Sequence, residues 1–271
     1  MTESGRFQGF AHYLRANWPR FFRLYAIIII LLVGIGLLAE QGWWAFVPMV
    51  TAVLLLLAVL LVLGLWDAYQ RFDAGGIQPH HRLFEMGRIR AADTFVYIDL
   101  GERRRVISLS RRLTSGRIVV LDVYNPQWTR SKALIRWRNR LSHPLADPRL
   151  SWRDGAFNLL PLPDSSVQAV MLCEILGEFW QDGDRVTLLR EVRRILQPQG
   201  YVLIAEPTRN QINMLVRGPA ALDLEPEAHW RELLQRAGFA LLDMENPRGV
   251  ICCMRAQKPS PTRGQQLSLP F

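Results

Sequence analysis

Two uncharged apolar runs open the readable pattern of this chain. The first goes from Leu24 to Ala39. After Glu40-Gln-Gly42 the second goes from Trp43 to Trp66. The Ile27–Leu32 and Leu54–Leu63 stretches are apolar on every face, unlike the one-sided stripe of a core helix. A bilayer core needs about 20 apolar helical residues. The second run meets that need alone. The first meets it if helix extends back through Phe21 and Phe22, with Arg20 and Arg23 reaching for headgroups. The pattern predicts a two-helix transmembrane hairpin over 24–66. A secretory signal would have a shorter apolar region and a small-residue cleavage site, and no second span directly behind it.

Past Trp66 the pattern changes. Short apolar runs alternate with amphipathic stretches, which predicts βαβ units around a parallel sheet. Strands are expected at 95–99, 117–122, 150–153, 167–173, 201–206, 239–245 and 249–256. Helices are expected at 105–114, 127–140, 181–196 and 226–237. Leu188, Leu189, Val192, Ile195 and Leu196 share a face of the third, and Pro198 and Gly200 stop it. Gly238 closes the fourth. The domain organisation is then a basic amino-terminal segment at 1–23, the hairpin, a linker at 67–93, an α/β domain at 94–257 and a disordered Pro-, Ser- and Gln-rich tail at 258–271. Gly75-Gly76 and Pro79 interrupt helix in the linker. His80 and His81 read there as exposed, with no further ligand at metal spacing.

Charge sets an orientation. The chain carries 33 Lys and Arg against 24 Asp and Glu, for a net +9. Arg6, Arg15, Arg20 and Arg23 precede the first span, Arg71, Arg82, Arg88 and Arg90 follow the second, and the loop between has neither Lys nor Arg. Positive flanks stay cytoplasmic, so both termini and the domain are expected there. Trp18, Trp43, Trp44 and Trp66 fall near the interfaces, as aromatic belts do. Gly34 and Gly36 either let the helices approach closely or are neutral. The spans hold no ionisable residue, so nothing in them suggests a transport pathway. Cys173, Cys252 and Cys253 offer neither a disulfide framework nor a metal spacing.

Candidate chemistry gathers between Phe95 and Pro207. Phe95-Val-Tyr-Ile98 ends in Asp99-Leu-Gly101, and Arg117-Ile-Val-Val-Leu121 ends in Asp122. Asp154-Gly155 follows the third strand, Cys173-Glu174-Ile175 follows the fourth, and Tyr201-Val-Leu-Ile-Ala-Glu-Pro207 follows the Gln197-Pro-Gln-Gly200 turn. In open α/β sheets ligands sit outside the carboxyl ends of the strands. An ionised carboxylate accepts several hydrogen bonds, so an acid at a strand end is a binding candidate. It is equally a turn former.

This order of markers resembles the class I S-adenosylmethionine (SAM)-dependent methyltransferases, in the type 11 branch that includes quinone-biosynthesis enzymes. The resemblance spans about residues 94–256. It implies a Rossmann-like, seven-stranded methyltransferase sheet ending in an antiparallel pair, and SAM as co-substrate. Asp99 and Gly101 match the first turn, Asp122 the acid that binds the ribose, Asp154 and Gly155 the adenine contact, and Cys173 and Glu174 the methionine end. The family's first turn carries alternating glycines, whereas here it reads Gly101-Glu-Arg-Arg-Arg105. Val167-Gln168 and Pro198-Gln199-Gly200 replace the family's Phe-Asp and Pro-Gly-Gly. Members often lack a dedicated base, so no catalytic residue is nominated. The function implied is methyl transfer to a lipid, quinone or other bilayer-resident small molecule. The alternative is an inactive domain of this fold, serving as a membrane-tethered scaffold or binding anionic ligands through Arg103, Arg104, Arg105, Arg111 and Arg112. Nucleic acid is the weakest partner reading, because the arginines and tryptophans of 128–140 suit lipid headgroups better.

Overall fold

The computed structural model describes residues 18–72, 78–138 and 147–260. The expected segment 1–23 and tail 258–271 lie largely outside them, as does the end of the 127–140 helix. By its internal contacts the chain divides into two compact units. One is Met1–Gln78 with Gln211–Ala221, and the other is Pro79–Asn210 with Leu222–Phe271.

The first unit holds helix α1 (Trp18–Glu40), a short 3-10 turn at Trp44–Phe46 and helix α2 (Val47–Phe72). The stretches Phe22–Glu40 and Trp44–Trp66 are long and apolar enough to cross a bilayer, with mean hydropathies of 2.5 and 3.0, and neither is covered by protein. Gly42 makes the turn between them with φ +76°, a value glycine adopts without cost. α1 packs on α2. A Cβ added at Gly34 or Gly36 would meet nothing within 4 Å, so neither glycine marks a close helix contact. Helix α7 (Gln211–Arg217) belongs to this unit and packs on α2.

The second unit is a mixed seven-stranded sheet in the order β3-β2-β1-β4-β5-β7-β6. The strands are β1 (Thr94–Asp99), β2 (Arg117–Asp122), β3 (Leu150–Asp154), β4 (Val167–Cys173), β5 (Leu196–Pro207), β6 (Ala240–Glu245) and β7 (Ile251–Gln257). β1 to β5 run parallel, and β7 lies antiparallel between β5 and β6. The central strands are nearly continuous apolar runs because both faces are covered. Helices α6 (Asp182–Ile195) and α8 (Glu227–Arg236) complete the core on one face, where Leu189, Val192, Trp230 and Leu233 cluster with Val96, Ile98, Val170 and Ile204. Asp182 and Asp184 open α6 and Arg193 and Arg194 close it, matching the helix dipole at both ends.

The alternate residues of β1 serve the other face, where Phe95 meets Phe84 edge-on at 6.1 Å. Phe84 belongs to α3 (Pro79–Met86), a helix that falls inside the expected linker. The exposed-linker reading of its histidines is corrected. His80 is buried, and burial, then its neighbour His81, holds its pKa well below the ordinary value. His81 Nε2 lies 2.8 Å from Ser108 Oγ, on α4 (Arg104–Ser110). The apolar Leu83 and Phe84 explain the difference. They give α3 a face that packs on the sheet, and Pro79 is tolerated in a first helical turn.

Candidate functional site

Parallel pairing brings the strand ends into one row. Asp99 pairs in register with Asp122, and Asp122 with Asp154. Three aspartates thus cap adjacent strands at the carboxyl edge, and the loops that follow converge there. Trp128, Phe157 and Phe179, one from each loop after β2, β3 and β4, tie those loops together. Trp128 stacks on Phe179 at 4.0 Å, and Phe157 meets both edge-on.

The row is chemically uneven. Asp99 is buried, and its Oδ2 accepts N–H bonds from Gly101 at 2.9 Å and Arg103 at 3.3 Å. This carboxylate therefore shapes the turn. Burial, then the charge of Asp122, raises its pKa. Gly101 takes φ +97°, and Arg103 takes φ +53°, a conformation L side chains rarely adopt. Asp122 Oδ1 accepts the Tyr124 N–H at 3.1 Å, and Oδ2 forms an ion pair with Arg138 Nη1. Arg138 comes from α5 (Lys132–Arg138), and its guanidinium lies 4.8 Å from the Tyr124 ring centroid. A Cβ built on Gly101 would strike this side chain. Arg138 therefore spans the space between the Gly101 turn and Asp122. Asp154 is exposed, while the Gly155 N–H donates to the Asp122 carbonyl at 2.9 Å. A Cβ on Gly155 would come within 2.8 Å of Pro161, so that bend is closely packed.

At the β4 end, Cys173 is buried and its carbonyl accepts from Arg105 Nη1 at 2.7 Å. Burial pushes its thiol well above the ordinary value, so the residue contributes its backbone here. Glu174 takes φ +55° and pairs through Oε2 with Arg105 Nη2 at 2.7 Å. Glu102 pairs with Arg105 Nη1 at 2.9 Å. The third arginine of the first turn thus faces inward onto three acceptors. Arg103 lies 5.6 Å over the Trp152 ring, and Arg112 pairs with Glu85 at 3.3 Å. Arg103, Arg105 and Arg112 thus turn to three different partners.

Four residues of the site fell outside the expected co-substrate contacts. Glu206, 1% exposed at the end of β5, accepts N–H bonds from Ile175 and Leu176 at 2.7 Å each and from Gly177 at 3.3 Å. Burial pushes its pKa up to about 8 against the pull of those donors. Glu178 accepts the Ser131 N–H at 2.9 Å, and burial, with Glu102 and Glu174 nearby, raises its pKa to about 7. Arg105 and Arg138 are the other two. Glu206 had a visible signal, since an acid ending an apolar strand is the signature already used for Asp99 and Asp122. The arginine partners had none, being set by contacts as distant as 69 residues in sequence.

The sheet order and strand-end acids define a domain with the methyltransferase fold. Residues 101–204 match the family described as a methyltransferase domain. Acetylserotonin O-methyltransferase of Mus musculus is 36% identical over 123 residues, which cover 42% of this chain and 31% of that enzyme. The match thus spans about a third of the curated relative's length. Among solved structures, a SAM-dependent methyltransferase from Aquifex aeolicus superposes with a TM-score of 0.54 at 15% identity, covering 69% of this chain and 94% of that one. The [4+2]-cyclase SpnF gives 0.53 at 16%, covering 70% and 83%. A cyclase among the likenesses shows that this fold does not fix the reaction.

Proposed function

We propose that this chain is a membrane-anchored SAM-dependent methyltransferase whose acceptor is a lipid, quinone or other bilayer-associated small molecule. The observation that carries the reading is Asp122, whose carboxylate stands at the carboxyl edge beside the Gly101 turn within the matched region. The residues present fit the co-substrate at Asp122, whose carboxylate suits the ribose hydroxyls, whereas the approach to Gly101 is held by Arg138, which a ligand would displace. Asp154 and Gly155 bound the adenine side, and Cys173 and Glu174 the methionine side. SAM supplies a methyl group already activated on a sulfonium. The chain's task is to bind, orient and exclude water, which accounts for most of such catalysis. The two helices span the bilayer, with both termini and the domain in the cytoplasm, as the flanking arginines direct.

One observation favours a second reading, in which the domain is a non-catalytic, membrane-tethered scaffold. Arg105 and Arg138 already satisfy the acids at both ends of the cradle. Calorimetric titration of SAM into the detergent-solubilised full chain separates the two. Micromolar binding that Asp122→Ala weakens supports the enzyme. Absence of heat at millimolar SAM overturns it in favour of the scaffold.

A further inference from the structure

Residues Gln211–Ala221 leave the α/β unit, join the helical unit and return. The excursion is pinned at both ends. The Arg209 N–H donates to the Glu225 carbonyl at 2.8 Å, and Asn210 Nδ2 donates to the Gly249 carbonyl at 2.6 Å. Within it, α7 has seven residues, too few for a helix to stand alone in water. Its support is α2, on which it packs. Yet Ile212, Met214 and Leu215 remain 45%, 41% and 59% exposed. Gln211 to Val216 contains no ionisable residue, and Arg217 closes the helix. The exposed apolar side chains of α7 therefore continue the uncovered apolar surface of the hairpin that holds it.

We propose that Gln211–Ala221 is a bilayer-contact element, lying in the lipid interface beside α2. The occupant of its exposed face is lipid. The argument is continuity, since the surface it extends is that of a helix pair whose length and composition call for a bilayer. An apolar face with a basic residue at its end suits the headgroup boundary. Only Thr208, Arg209 and Asn210 separate β5 from α7. Covalent geometry therefore limits the start of α7 to within about 14 Å of the carboxyl end of β5. The inference rests on the membrane-spanning reading of the hairpin.

Fluorescence quenching in liposomes tests it with the full chain. An environment-sensitive maleimide probe is placed singly through Leu215→Cys, through Leu56→Cys in α2, and through Arg190→Cys on the exposed side of α6. The three native thiols are buried and stay unlabelled. Liposomes of phosphatidylcholine and phosphatidylglycerol carry nitroxides either near the headgroup or at the chain terminus. The expected result is that the probe at position 215 is quenched by the headgroup-proximal nitroxide about threefold more than the probe at 190. Position 56 should respond to the deep nitroxide. Quenching at 56 with none at 215 overturns this inference and leaves the hairpin intact, with a protein surface covering α7 instead. Silence at both positions overturns the hairpin reading as well.

Discussion

Arg105 enters the carboxyl edge of the sheet with its side chain 13% exposed and meets Glu102, Glu174 and the Cys173 carbonyl. Arg138 reaches the same edge at 22% exposure, meets the single carboxylate of Asp122, and rests on one aromatic face. Both are arginine–acid pairs at strand ends, but their energetics differ. Removing one partner of a buried, multiply bonded pair strands the others without water, which is expensive. A half-open pair with one acceptor exchanges readily with solvent or ligand and contributes little. Arg105 is thus part of the frame, whereas Arg138 can give way to a ligand. The acid it occupies is the one proposed to hold the ribose.

The largest test of this contrast is Arg105→Ala. It should lower domain stability by about 3 kcal/mol, read as a drop in thermal midpoint in detergent. Arg138→Ala should leave the midpoint nearly unchanged. Equal losses would dissolve the distinction. Next comes pH. Glu206 keeps its proton in the folded state up to about 8, whereas an ordinary glutamate loses it near 4.5. A raised folded pKa means stability that is complete below the ordinary value and is lost as pH rises through the folded one. Glu178 acts in the same direction up to about 7. Stability should therefore fall by several kcal/mol across that interval, and Glu206→Gln should flatten the decline. A profile rising with pH in the wild type would contradict this.

Smaller effects concern the ligand. Asp122→Ala should weaken SAM about tenfold, the scale of one hydrogen bond to a charged group. Arg138→Ala should tighten it about threefold, since the competing pair is gone. The double variant should then bind no better than Asp122→Ala alone, because the arginine acts only through that carboxylate. A weakening by Arg138→Ala would make Arg138 a ligand contact in its own right.

Much of this architecture was legible in the sequence. Phe95–Ile98, Ile118–Leu121 and Val202–Ala205 read as strands because burial on both faces leaves continuous apolar runs. The closing Asp99 and Asp122 stood out against them. Gly238 announced the end of α8, where the Phe239 N–H reaches back to the Leu234 carbonyl at 3.0 Å. What stayed hidden was tertiary. α3 is eight residues long, flanked by turn signals, and holds its shape by packing Leu83 and Phe84 on the sheet. The arginines of the first turn read as a candidate anion-binding group, yet one turned inward because Glu102 and Glu174 were there to receive it. α7 carried no signal at all, since its neighbour α2 lies far earlier in the chain.

The position of β7 has a consequence for how the domain is made. The last strand in sequence is an inner strand in space, held by β5 on one side and β6 on the other. During synthesis β6 emerges with no sheet neighbour, and the β5 edge stays open until residues 251–257 have left the ribosome. The hairpin is complete almost two hundred residues earlier. On the proposed membrane-anchored reading, a nascent chain would dwell at the membrane with an unfinished sheet, its β5 edge offered to any other strand nearby. Closure by β7 is a late, non-local pairing of the kind that sets folding rates, and a stop codon before Ile251 would leave that edge permanently open.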